Sequence, residues 1–327
     1  MRLDKLTRSS ASDDLLTGIA PIYKVSFSGE AALIGTGFWV TTRGHLVTAK
    51  HVIDDNIGAD GIDEGMIYAI CVTPDRSLVA RVFKSTYRHS QFDLALSETL
   101  SPHEVGVAGG IDPVGTFPLT LTLTQPRRGE RVTTYAYVTH GQDFVQGKKP
   151  GITPFEMSLT MAVPDLGLVY DISFMTRLET GHVGEIFPEL RDSVMLPFPC
   201  FQSDMPIYGA NSGGPVFDSK GRVCGVNCSS YEGTDISFHV PTKSVADLVA
   251  FGIEFVPEDP APRTRTIAEL GLARRILFDP PAARALFPFW VRLLLWPKQQ
   301  YEYAASWLRW RLPKRRSGAR DNSEDSR

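Results

Sequence analysis

From Ile22 to Phe255 the apolar positions come in short runs of β-branched and aromatic residues, alternating with polar ones and cut by Gly, Pro, Asn and Asp. That period of two is the signature of half-buried antiparallel strands, and helical periodicity is scarce over the same stretch. The spacing predicts strands over 22–28, 32–41, 46–49, 66–72, 78–84, 94–96, 119–123, 131–138, 155–163, 168–174, 215–217, 223–227 and 236–240. This many short strands suffices for an all-β fold of two six-stranded antiparallel barrels. One helix over 242–251 is predicted to close it, because Val245, Leu248 and Val249 recur at helical spacing.

The pattern changes beyond residue 256. Residues 257–262 read as a proline-rich linker, and two amphipathic helices are predicted after it, over 267–277 and 301–312. Four of the five tryptophans, Trp290, Trp296, Trp307 and Trp310, lie in this stretch, and residues 263–320 hold thirteen Lys or Arg against three Asp or Glu. The chain therefore divides into an N-terminal segment (1–19), the barrel region (20–256), a basic aromatic helical extension (257–312) and a charged tail (313–327) expected to be disordered. The run LFPFWVRLLLW is too short to span a bilayer. The opening residues lack an unbroken apolar run of signal-peptide length, and four cysteines are too few for a disulfide scaffold, so a cytoplasmic setting with reduced thiols is expected.

Candidate chemistry concentrates in three segments. In GANSGGPVFD, Ser212 sits among glycines, as an acyl-transfer nucleophile requires: the hydroxyl is exposed on a tight turn and backbone N–H groups can face a developing oxyanion. In GTGFWVTTRGHLVTAKHVI, two strands deliver His51 just past a small-residue strand end. In SQFDLAL, Asp93 precedes an apolar strand, where burying a carboxylate is costly without a partner. A serine activated by histidine needs such an acid to fix the imidazole.

VTAKHVI, FDLAL and NSGGPVFD, in the order His, Asp, Ser, resemble the three signature segments of chymotrypsin-fold (trypsin-like) serine endopeptidases. GRVCGVNCSS and ISFHVPTKSV are most similar to the disulfide-poor bacterial HtrA-like branch, although no PDZ-like segment follows. The resemblance covers about residues 20–255. It implies that Ser212 attacks the scissile carbonyl, that His51 is general base and acid, and that Asp93 orients His51. It also implies oxyanion donors at the backbone N–H groups of Ala210 and Ser212. The family usually has glycine where Ala210 stands, at a backbone position that tends to need positive φ; a Cβ there costs on the order of 1 kcal/mol. The same resemblance puts Asn227, Cys228, Ser229 and Ser230 in the wall of the specificity pocket. Pro206 occupies the position where an aspartate would select Arg or Lys, so a small or medium apolar residue is expected before the cleaved bond.

Cys224, Cys228 and His239 lack the spacing of a structural zinc site, and no metal or organic cofactor is expected. The expected partner is a protein or peptide substrate, with no nucleic acid. The basic, tryptophan-rich extension suits either an anionic membrane surface or docking on the acidic barrels. Two alternatives stay open: a catalytically silent peptide-binding or scaffolding module of the same fold, and a protease tethered to anionic lipid through its C-terminus.

Overall fold

The first six strands alternate side chains between two faces, and their small and branched residues let them close on themselves. In the computed structural model these are β1 (Ile19–Ser26), β2 (Ala31–Trp39), β3 (His45–Thr48), β4 (Gly65–Val72), β5 (Leu78–Arg88) and β6 (Ala95–Leu100). The model describes residues 15–28, 30–42, 44–57, 65–73, 78–100, 116–139, 156–163, 168–231, 233–250, 264–272 and 276–286. The strands form a closed antiparallel barrel in the order β1-β2-β3-β6-β5-β4. One face gathers Ala20, Ile22, Trp39, Leu46, Ile67, Ala69, Cys71 and Ala95 into a single buried cluster, the period-two positions of each strand. The short helix α1 (Lys50–Asp54) adds Val52 and Ile53 to that cluster.

The second ring is built from β7 (Arg131–Val138), β8 (Glu156–Val163), β9 (Leu168–Phe187), β10 (Cys200–Ser203), β11 (Pro215–Phe217), β12 (Val223–Ser230) and β13 (Ser237–Pro241). Their order is β10-β13-β12-β11-β7-β9-β8, and β10 also pairs with β9, which closes six of the strands into the second antiparallel barrel. A larger cluster joins the two rings: Phe38, Val47, Leu94 and Leu96 from the first pack with Tyr135, Tyr137, Phe217, Val226 and Phe238 from the second. The all-β reading with two six-stranded barrels therefore holds.

Several elements depart from the sequence pattern. β9 continues to Phe187, well beyond residue 174, because Thr176, Arg177 and Glu179 break the apolar alternation and yet pair in register along β7. β10 has no counterpart among the predicted strands; its four residues are too few to show a period. Residues 119–123 do not form a strand, and Leu121 makes only isolated bridges to Val223 and Phe278. The helix predicted over 242–251 is a six-residue 3-10 helix, Thr242–Asp247. It ends because Leu248 turns extended (φ −61°, ψ 142°), and Val249–Ala250 (β14) then pairs with Arg265–Thr266 (β15).

Beyond the barrels the described chain holds two short helices, α2 (Ile267–Leu272) and α3 (Pro280–Leu286), in place of one helix over 267–277. Ile267, Leu270 and Ile276 join the large cluster. The predicted helix over 301–312 and the tail lie outside the described residues. No helix among the described residues is long and apolar enough to cross a membrane.

Candidate active site

His51 reaches its place through α1. The chain leaves β3 at Ala49 in extended conformation (φ −74°, ψ 146°) and turns into the helix, whose Val52 and Ile53 are buried. Anchoring those two leaves His51 partly exposed, its side chain 37% accessible. Asp93 arrives from the bend before β6, a bend held by His89 Nδ1, which accepts the N–H groups of Gln91 and Phe92. The Phe92 ring lies edge-on to His89, with centroids 4.7 Å apart. Both Asp93 oxygens then meet His51: Oδ1 accepts its backbone N–H at 2.9 Å, and Oδ2 accepts Nδ1–H at 2.7 Å. This two-point contact fixes ring orientation and tautomer together. It is the one hydrogen bond of the His51 ring among the described residues, and it leaves Nε2 available to a hydroxyl.

Ser212 lies on the turn that enters β11. Its carbonyl accepts the Thr36 N–H at 2.9 Å, tying the turn to β2. Gly213 has φ +81°, and a Cβ there would run into Thr48 Oγ1, the Thr36 carbonyl and the Ala49 N–H. Only glycine permits an approach this close, and it sets Ser212 against the strand end that leads into His51. Ala210 has φ +66°, alone among the described non-glycine residues in the left-handed region; its carbonyl accepts Thr36 Oγ1–H at 2.7 Å. Asn211 is fully buried, with Nδ2 donating to the Tyr137 carbonyl at 2.7 Å and Oδ1 accepting the Tyr208 N–H at 2.8 Å. The turn is thus pinned on both sides of the serine.

Residues 35–226, more than half of the chain, match the family model for the trypsin-like peptidase domain. The chain belongs to that family. Among curated proteins no sequence matches significantly. Solved structures of similar fold include Deg5, with 18% identity, a TM-score of 0.48 and coverage of 73% of this chain and 92% of that one. The protease domain of MamO from Magnetospirillum magneticum shows 13% identity and a TM-score of 0.46, covering 71% and 95%. The HtrA-type protease AlgW with a tripeptide shows 16% identity and a TM-score of 0.46, covering 71% and 60%.

In this member of the trypsin-like peptidase family the strand read as the pocket wall is β12, and it carries a bulge. Asn227 pairs with His239 and Ser229 with Phe238, so Cys228 is the extra residue. A bulge re-aims side chains, and here Asn227 and Cys228 are both buried. The Cys228 thiol is directed at the carboxylate that holds His51, Sγ donating to Asp93 Oδ2 at 3.0 Å. Ser229 and Ser230 are partly exposed, and Ser230 Oγ donates to the Ile207 carbonyl at 3.4 Å. The sequence reading missed Thr36, which grips the Ser212 turn through backbone and side chain, and the Cys228 contact. A threonine between two glycines in GTG was the available signal for the first.

Electrostatics follow the geometry. Burial alone would lower the His51 pKa, but the hydrogen bond and charge of Asp93 outweigh it and raise it above its ordinary value. Burial alone would raise the Asp93 pKa; the His51 hydrogen bond and charge, helped by the Cys228 thiol, hold it below the usual carboxylate value. The two shifts agree: each group favours the charged form of the other. Burial and the nearby Asp93 push the Cys228 thiol well up, which keeps it a neutral donor. Among the described residues no group of three His, Cys, Asp or Glu side chains is arranged to hold a metal, and the four cysteines are buried and not joined in disulfides.

Proposed function

We propose that this chain is a serine endopeptidase that cleaves peptide bonds through an acyl-enzyme on Ser212. The observation that carries the reading is the double hydrogen bond from Asp93 to His51, one to the backbone and one to the ring. An imidazole held in this way, with a serine on a glycine-bounded turn packed against the strand end that leads into it, suits the taking and returning of one proton. His51 Nε2 accepts the Ser212 hydroxyl proton as Oγ attacks the scissile carbonyl, and the imidazolium that forms is stabilised by Asp93. The carbonyl oxygen becomes negative and is met by the N–H groups of Ala210 and Ser212. Collapse of the tetrahedral adduct expels the amine, which takes the proton from His51. Water then repeats the sequence in reverse order and frees the acid.

Membership of a peptidase family makes peptides the substrate class. Within it, Pro206 and Ile207 ahead of the nucleophile turn and the uncharged Ser229 and Ser230 favour a small or medium apolar residue before the cleaved bond. The test is labelling of the purified protein by a fluorophosphonate beside its Ser212→Ala form, followed by peptide-library digestion with both. Labelling and cleavage that both vanish in the variant support the reading. A folded wild-type protein that takes no label is instead the silent module that shares this fold.

A further inference from the structure

Asn227 is wholly buried, and both its side-chain nitrogen hydrogens and its side-chain oxygen are engaged. Nδ2 donates to Thr134 Oγ1 at 2.8 Å and to the Asn211 carbonyl at 3.3 Å. Oδ1 lies 3.1 Å from His239 Nδ1. Its backbone closes two more bonds onto the nucleophile turn, accepting the Gly213 N–H at 2.8 Å and donating to the Gly214 carbonyl at 2.9 Å. Thr134 Oγ1 passes the contact one residue further, donating to the Pro215 carbonyl at 3.0 Å. One asparagine thus reaches residues 211, 213, 214 and, through Thr134, 215. Ser212 stands in the middle of that span.

Which way the Asn227 amide faces is decided behind it. With two acceptors in front of Nδ2, Oδ1 must face His239, so His239 Nδ1 carries the hydrogen and Nε2 is an acceptor. Ser203 supplies the matching donor: its Oγ is 2.7 Å from His239 Nε2. Each member has a partner of the right kind, and a fully satisfied buried network of this sort specifies one arrangement. Resting on the serine-endopeptidase reading of Ser212, we infer that Asn227 is a positioning residue for the nucleophile turn, and that His239 and Ser203 hold its amide in the working orientation. A group so occupied offers nothing to a substrate, so the pocket wall on this strand falls to Ser229 and Ser230.

The experiment measures labelling by a fluorophosphonate, resolving the maximal rate from the apparent affinity, in wild type, Asn227→Ser, His239→Phe and His239→Gln. The Gln amide can donate towards Asn227 and accept from Ser203, whereas Phe can do neither. The expected result is a maximal rate lowered roughly ten- to a hundredfold in Asn227→Ser and His239→Phe, with affinity within about twofold and most of the rate recovered in His239→Gln. Wild-type rates in the folded Ser and Phe variants overturn the inference, as does a loss that Gln leaves unrepaired. Amide hydrogen exchange at Gly213 and Gly214 gives a second reading that needs no reactive serine. Faster exchange there in His239→Phe than in His239→Gln supports the inference, and equal exchange overturns it even if the wild type takes no label. In that last case labelling alone would sink the enzyme reading.

Discussion

Cys228 donates its thiol hydrogen to Asp93 Oδ2 over 3.0 Å, and the same carboxylate oxygen receives the His51 ring N–H at 2.7 Å. The bulge in β12 makes this contact possible, since regular pairing would carry residue 228 along the ladder. A neutral thiol is a weak donor, so its share is modest. Cys228→Ala is expected to lower kcat/KM roughly three- to tenfold, the equivalent of one ordinary hydrogen bond. Cys228→Ser, which keeps a donor, is expected to retain at least wild-type activity. Peptide hydrolysis by the three proteins decides it, and equal rates for Ala and wild type would remove Cys228 from the site.

Asp93→Asn is expected to leave the fold intact while lowering turnover roughly a thousand- to ten-thousandfold, because an amide favours the wrong imidazole tautomer. The sign of the accompanying pH change is fixed by the causes acting on His51. In the wild type, Asp93 overcomes burial and raises the His51 pKa. Activity requires the unprotonated ring, so kcat/KM is expected to climb through a midpoint above the ordinary histidine value of about 6.5. Without the carboxylate charge, burial dominates and the midpoint of the residual activity is expected to move down. A midpoint that stays put would mean that Asp93 does not control the ring.

Ala210 holds φ +66° with a Cβ in place. The left-handed region costs an alanine roughly 1–2 kcal/mol, and glycine costs roughly 0.5–1 kcal/mol in chain entropy. Ala210→Gly is therefore expected to stabilise by up to about 1 kcal/mol, raising Tm by roughly 1–3 °C, with fluorophosphonate labelling within about threefold of wild type. The backbone donor is kept, so a large loss of labelling would show that the methyl group shapes the turn.

The pairing of Asp93 with His51 and the tight turn at Ser212 were legible because each leaves a local mark: a small-residue strand end, a carboxylate ahead of an apolar strand, glycines around a serine. Most barrel strands were legible for the same reason, their alternation being local. The polar frame was hidden. Thr36, Thr134 and Asn227 meet Ser212 and its neighbours, and His239 backs Asn227, only after the strands that carry them have paired, and nothing in GVNCSS says that a bulge will send Asn227 and Cys228 to different partners. Likewise the second half of β9 is a strand because β7 offers it a ladder, despite Arg177 and Glu179 in its middle.

Residues 264–286 are expected to be required for folding, which sets a chain ended at Pro257 apart from one ended at Leu286. Ile267, Leu270 and Ile276 lie in the large buried cluster. At about 1.5–3 kcal/mol each, their removal forfeits roughly 5–9 kcal/mol, comparable with the whole stability of an ordinary domain. The polar contacts point the same way. Leu121 donates its N–H to the Leu277 carbonyl at 2.8 Å and accepts the Asp279 N–H at 2.9 Å, while bridging to Val223 at the head of β12. Arg222, the residue before that strand, ion-pairs with Asp218 and Asp279. Asp279 Oδ1 also accepts the Ala282 N–H at 2.9 Å, at the start of α3. The segment therefore braces the strand that carries Asn227 and Cys228. Circular dichroism and thermal melting are expected to show the chain ended at Pro257 unfolded or strongly destabilised, and the chain ended at Leu286 native and still labelled at Ser212. Asp279→Ala alone, losing a helix cap worth about 1 kcal/mol and one arm of the Arg222 pair, is expected to lower Tm by a few degrees. If the chain ended at Pro257 melts with the full-length protein and keeps its label, the bracing role is excluded.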